Sequence, residues 1–295
     1  MNRIDDFRNQ LQQRMAVLRG GVSNRPAFSA NANSATAKAI ASTTRNGDEI
    51  CRYLTPSREE VWQWWEMVRG SMHVRMNEAY NSYASGTEFV YLHNDDTINA
   101  FASGNESEEK PFRIVFFGGA MRFSRLASLA VAVDICGRPG TAARFAKSIE
   151  VTGEMSEEYA AELMSDCGLD DMFGLPGVKS KAVAVSSGMI VGILAHEMGH
   201  VCLNHILGPN YYESNQEIGR NHEREADSFA SSITAANPFG EYLYEGMLFW
   251  HYILAKQEGI NAVATTHPLE RERLENLIRA NASKASALGI TLGNI

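Results

Sequence analysis

The chain has 295 residues, a formal net charge of −8, 44% apolar residues and 21% charged residues. This suits a folded protein of one large domain or two modest ones and excludes wholesale disorder. The acidic balance, with no block of lysine and arginine, argues against a partner recognised through nucleic-acid phosphate.

Residues 1–19 carry Ile4, Phe7, Leu11, Met15 and Leu18 at helical spacing and predict a short amphipathic N-terminal helix. Residues 20–47, rich in Gly, Ser, Ala, Asn and Thr, read as a flexible linker. The polar start lacks the apolar run of a secretory signal. Cys51, Cys136, Cys167 and Cys202 are far apart and read as reduced, buried thiols. Together these features predict a cytoplasmic protein.

Thr55-Pro56 predicts a helix start, with Thr55 as N-cap. Val61, Trp64, Trp65, Val68, Met72 and Met76 form the apolar stripe of that helix and predict core packing. His73, His93 and His251 read as surface histidines. The β-prone runs at 88–92, 97–102 and 113–117 predict a hairpin or a small antiparallel sheet. A buried helix is expected at 121–135, stopped by Gly137-Arg138-Pro139-Gly140.

Residues 141–182 hold an acidic helix near 156–164 and a Gly- and Pro-containing loop, an insertion that could form a lid. From Ser186 the pattern is helical, with segments at 187–207, 221–236 and 239–258 and a fourth starting at His267-Pro268. Residues 281–295 read as a C-terminal tail. The longest uncharged stretch near the middle, 182–195, falls short of the roughly 20 residues a bilayer requires, so no membrane span is expected. The whole reads as α+β, mainly helical, with a domain at 48–280 whose metal-site helices occupy 186–280.

The informative string is His196-Glu197-Met198-Gly199-His200. Two histidines four apart on a helix are separated by about 40° of rotation, so both rings leave one face and can chelate one cation. Imidazole nitrogen suits zinc. Glu197 lies about 100° around, beside the metal, where it can take a proton from an activated water. The surrounding helix is apolar, and buried imidazoles and carboxylates in such a setting need partners.

A catalytic zinc wants three protein ligands and one open position. His205 lies about 180° around the expected helix and misses the H-E-x-x-H-x-x-G-x-x-H spacing, so it reads as a second-sphere or helix-end group. Within His222-Glu223-Arg224-Glu225-Ala226-Asp227, Glu223 and Asp227 share a helical face while Glu225 points about 200° away from Glu223. Glu223 is therefore assigned as third ligand, one Zn2+ per chain, with Asp227 orienting a ligand histidine through its free ring N–H.

With H-E-x-G-H followed by E-x-x-A-D, the chain resembles the gluzincin metallopeptidases of the CAAX prenyl endopeptidase and HtpX-like family. Thr266-His267-Pro268-Leu269-Glu270-Arg271-Glu272-Arg273 matches the H-P-x-x-x-x-R element of that family, and Asn99-Ala100-Phe101-Ala102 matches its N-A-F-A segment. The similarity covers about 97–135 and 185–280. It implies a zincin-like core and a zinc-dependent metalloendopeptidase, in a soluble branch because no flanking membrane helices are evident. It also implies that Asn99, Ala100, Phe101 and Ala102 form the edge strand that pairs with an extended or unfolded peptide substrate. By the same resemblance His267 lies near the open metal position as oxyanion donor or resting-state cap, and Arg273 holds that loop or contacts substrate. A competing expectation is a latent zinc site in a peptide-binding, chaperone-like module that uses the edge strand and a surface of Trp62, Trp64 and Trp65.

Overall fold

The computed structural model describes residues 47–75, 78–105, 107, 109–149, 153–206, 216–235, 240–258, 270–287, 289–291 and 293. The expected N-terminal helix at 1–19, nearly all of the linker at 20–47, Met76 and His267 lie outside the described residues, as do the side chains of Met72 and His73.

Helix α1 (Gly47–Leu54) ends where the Thr55 hydroxyl donates to the Cys51 carbonyl at 2.7 Å. Thr55 thus closes one helix and does not open the next. The N-terminus of α2 (Arg58–Arg75) is instead held by Ser57 and Glu60. The Glu60 N–H donates to Ser57 Oγ at 3.2 Å, and the Ser57 N–H donates to Glu60 Oε2 at 2.9 Å. This is a reciprocal capping box, readable as S-x-x-E. Helix α3 (Glu78–Ser85) leads into the sheet.

Among the described residues the sheet has three strands, β1 (Thr87–Leu92), β2 (Ala100–Gly104) and β3 (Phe112–Phe117), in the order β1-β3-β2. β2 runs antiparallel to β3, with Ala100 opposite Phe116, but β1 runs parallel to it, with Thr87 opposite Phe112. The sheet is therefore mixed, not antiparallel as the local runs suggested. The cause lies in the connection at 93–99, which wraps the N-terminus of α4 (Gly118–Ile135). There the Asp95 carbonyl accepts the Gly119 N–H at 2.9 Å and the Thr97 carbonyl accepts the Ala120 N–H at 3.1 Å. A Cβ on Gly119 would lie 1.9 Å from the Asp96 carbonyl oxygen, so only glycine admits this approach. The detour delivers β2 to the far side of β3, where it forms an edge.

Segment 141–182 forms α5 (Thr141–Ser148), α6 (Glu157–Asp166) and α7 (Leu169–Phe173). Phe145, Met155, Leu163 and Phe173 are buried in the main core, so this segment builds the core and is not a lid. Helix α8 (Val178–Cys202) runs through the centre, packed on α4, α9 (Gln216–Ala235) and α10 (Gly240–Glu258). By length and composition α8 is long and apolar enough to cross a membrane. Much of its apolar surface is buried: Val178, Ala182, Val185 and Met189 enter one core cluster, while Ile190, Leu194, Met198 and Val201 enter a second one beneath the sheet.

Helix α11 (Glu270–Ala280) packs on α10, and α12 (Ala282–Ala287) follows. Ala285 and Ile290 are buried, so the expected tail contributes to the core. Trp65 and Trp64 are also buried, and only Trp62 is exposed, at 44%. Of the tryptophan surface expected of a chaperone-like module, Trp62 remains and Trp64 and Trp65 do not contribute. Of the cysteines, Cys202 is buried, Cys51 and Cys167 are half-buried and Cys136 is exposed.

Candidate metal centre

The last turns of α8 bring His196 Nε2 and His200 Nε2 to 3.1 Å from one another. From α9, Glu223 Oε2 lies 3.2 Å from His196 Nε2 and Glu223 Oε1 lies 3.6 Å from His200 Nε2. One donor atom from each residue falls within 4.8 Å of the others. Bonds of 2.0–2.1 Å at tetrahedral angles place donor atoms about 3.3 Å apart, so the separations bracket what a zinc ion needs. Two imidazole nitrogens and a carboxylate oxygen also match its donor preference.

Helix α9 reaches this close because residue 199 is glycine. A Cβ there would lie 3.0 Å from Ala226 Cα and 3.2 Å from both the Ala226 carbonyl oxygen and Phe229 Cδ1. The glycine of H-E-x-G-H and the alanine of E-x-x-A-D are thus packing partners, and their contact sets the distance of Glu223 from the two histidines.

Behind His196 stands a chain of charged groups. Its Nδ1 lies 2.9 Å from Asp227 Oδ1. Arg273 grips the same carboxylate bidentately, Nη2 to Oδ1 at 2.6 Å and Nε to Oδ2 at 2.9 Å. Arg273 Nη1 lies 3.4 Å from Glu270 Oε1, and Glu270 Oε2 lies 2.5 Å from His251 Nδ1. Arg273, expected to hold the His267 loop or to contact substrate, faces Asp227 and Glu270. His251 is buried and paired, where a surface residue was expected, because a polar residue on an apolar helix carries no mark of its partner. Burial opposes a charge on His196, but Asp227 and Glu223 outweigh it and push the imidazole up to about 10. Burial likewise opposes the Asp227 charge, yet Arg273 holds that carboxyl well below the usual range.

His200 is supported differently. Helix α8 ends at Cys202, not at 207, with Asn204 in the left-handed region at φ 60°. The Asn204 N–H donates to the Val201 carbonyl at 3.2 Å and the His205 N–H donates to the His200 carbonyl at 3.0 Å. This is a Schellman motif, which brings the residue after the left-handed position back over the last turn. His205 Nδ1 thereby lies 3.1 Å from His200 Nδ1, and its Nε2 lies 2.9 Å from Glu225 Oε2. The His222 ring stacks on His205 at 4.1 Å and 9°. Burial and the neighbouring His196 push His200 down to about 3.

Glu197 points to the sheet side. Burial pushes its carboxyl up to about 7, against opposing contributions from His196 and from a hydrogen bond donated by the Ala102 backbone. That donor belongs to the open edge of β2. The Asn99 carbonyl accepts from Phe117 and the Asn105 N–H donates to Pro111, so the odd-numbered residues of this strand face β3. By alternation the main-chain groups of Ala100, Ala102 and Gly104 face outward. Asn99 itself precedes the strand, and its Oδ1 accepts the Ala100 N–H at 2.9 Å. Sequence reasoning read His205 as a second-sphere or helix-end group without placing it against His200, and missed Glu225, Glu270 and His251 as members of the site's support; the Asn at 204 was the available signal for the first.

Comparison of the chain with protein-family models, with curated proteins and with solved structures gave no match.

Proposed function

We propose that the chain is a zinc-dependent metallopeptidase with a zincin-like core, of the gluzincin kind that its H-E-x-G-H and E-x-x-A-D elements resemble. The observation that carries this reading is the convergence of His196, His200 and Glu223 beside a buried Glu197 that contacts an open strand edge. Bound by those three residues, zinc supplies Lewis acidity, which polarises a carbonyl and acidifies water. An extended or unfolded peptide adds to β2 through the outward carbonyls of Ala100, Ala102 and Gly104, the Ala100 N–H being held by Asn99 Oδ1 and the Ala102 N–H by Glu197. This recognition reads main chain and therefore tolerates varied sequences. Glu197 takes a proton from the attacking water and returns it to the amine nitrogen as the C–N bond breaks.

The test uses the full chain, with elemental analysis and hydrolysis of unfolded casein measured together. The wild type is expected to carry one zinc per chain and to lose hydrolysis with a chelator. Glu197→Gln keeps the metal and loses about 10²–10⁴-fold in rate. Undiminished cleavage by Glu197→Gln, or a wild type without zinc, overturns the proposal.

A further inference from the structure

We infer that His205, anchored by Glu225 and stacked on His222, is a positioning residue that fixes the tautomer and orientation of the metal ligand His200. The inference rests on the reading of His200 as a ligand.

The polarity of the chain is set from its outer end. An ionised Glu225 only accepts hydrogen bonds, so His205 Nε2, at 2.9 Å, must carry its proton. A neutral His205 then has a lone pair on Nδ1. That lone pair faces His200 Nδ1 at 3.1 Å, which must therefore donate. His200 is left with its lone pair on Nε2, the atom that faces His196 and Glu223. Each link forces the next, and the last one is the tautomer a metal requires. Geometry is held at two further points. The Schellman turn fixes the backbone of His205 relative to His200, and the nearly parallel His222 ring fixes the plane of its imidazole. The contact between these two positions of a Schellman motif is commonly apolar. Here it is a hydrogen bond between two imidazoles, an arrangement that packing alone does not call for.

The experiment measures zinc affinity of the full chain by competition with a chromophoric chelator. His205→Leu fills similar space but accepts no hydrogen bond, and it is expected to bind zinc about 10–100-fold more weakly than wild type. His205→Gln offers an amide oxygen to His200 and an amide N–H to Glu225, and it is expected to recover most of that loss. Glu225→Leu, at an exposed position, removes the anchor without touching the core and is expected to weaken zinc severalfold. Melting of the zinc-stripped proteins separates lost folding from lost affinity. Equal affinities of wild type and His205→Leu overturn the inference while leaving the metal site intact. Equal weakness of the Leu and Gln variants reduces His205 to a packing residue and also overturns it. A wild type that binds no zinc overturns both this inference and the reading on which it rests.

Discussion

His196 and His200 leave the same face of the same helix, yet their surroundings are opposite. His196 backs onto a buried run of charges, Asp227, Arg273, Glu270 and His251, that ties α8 to α9, α11 and α10. His200 backs onto His205 and then Glu225, whose side chain is 62% exposed. Two imidazoles on one helical face are thus supported once by the tertiary fold and once by a local turn. Changes behind His196 should disturb the whole molecule, whereas changes behind His200 should reach the proposed metal site and little else.

The sharpest way to break this contrast is Arg273→Met. It leaves the Asp227 carboxylate, mostly buried, paired with His196 and stripped of its guanidinium partner. Removing one partner of a buried ion pair costs about 3–5 kcal/mol. Urea unfolding of the zinc-free protein checks this. Adding Asp227→Asn to Arg273→Met should recover part of the loss, because it removes the stranded charge. A loss below about 1 kcal/mol, the range of exposed pairs, would put the two histidines on an equal footing.

How much of this was legible in the sequence follows the range of the interactions. His196, Glu197 and His200 share one helix, so their geometry is fixed by its rise and rotation. Glu223 and Asp227 were legible for the same reason, since four residues on one helix put both carboxylates on one face. The distance between those two helices was not legible, although its cause, Gly199 against Ala226, stands in the motifs. His205 was placed on the wrong side because periodicity extends α8 to 207. One left-handed Asn204 stops it, and hydrophobic spacing is silent about φ. The parallel pairing of β1 with β3 depends on where the 93–99 connection docks, a tertiary event that β-propensity does not encode. His251 sits beside Glu270 only because α10 meets α11.

A second, smaller effect sharpens the comparison through pH. Burial raises the Glu270 carboxyl, but His251 and Arg273 more than offset it, and the net shift is below the ordinary 4.5. A carboxyl held lower in the folded than in the unfolded chain stabilises the fold above its unfolded value. That contribution fades as pH falls through the folded value. Glu270→Gln is therefore expected to destabilise by about 1–3 kcal/mol at neutral pH, the range for a lost charged hydrogen bond. The gap to wild type should stay constant down to about 4.5 and narrow below it. Denaturant midpoints of the zinc-free proteins at stepped pH measure that gap, and a gap that widens in acid contradicts the assignment.

Glu225→Gln probes the other histidine and carries the smallest expected change. The pair it forms with His205 ends in solvent, where water and salt screen charge and such contacts contribute about 0–1 kcal/mol. The Gln side-chain oxygen still accepts the His205 Nε2 proton, so the order of protons along the chain to His200 survives the loss of charge. Unfolding free energy should change by less than about 1 kcal/mol, and added salt should barely alter the difference. A destabilisation as large as that of Arg273→Met would mean that the exposed carboxylate belongs to the fold's charged framework, and the division between a tertiary and a local support would no longer hold.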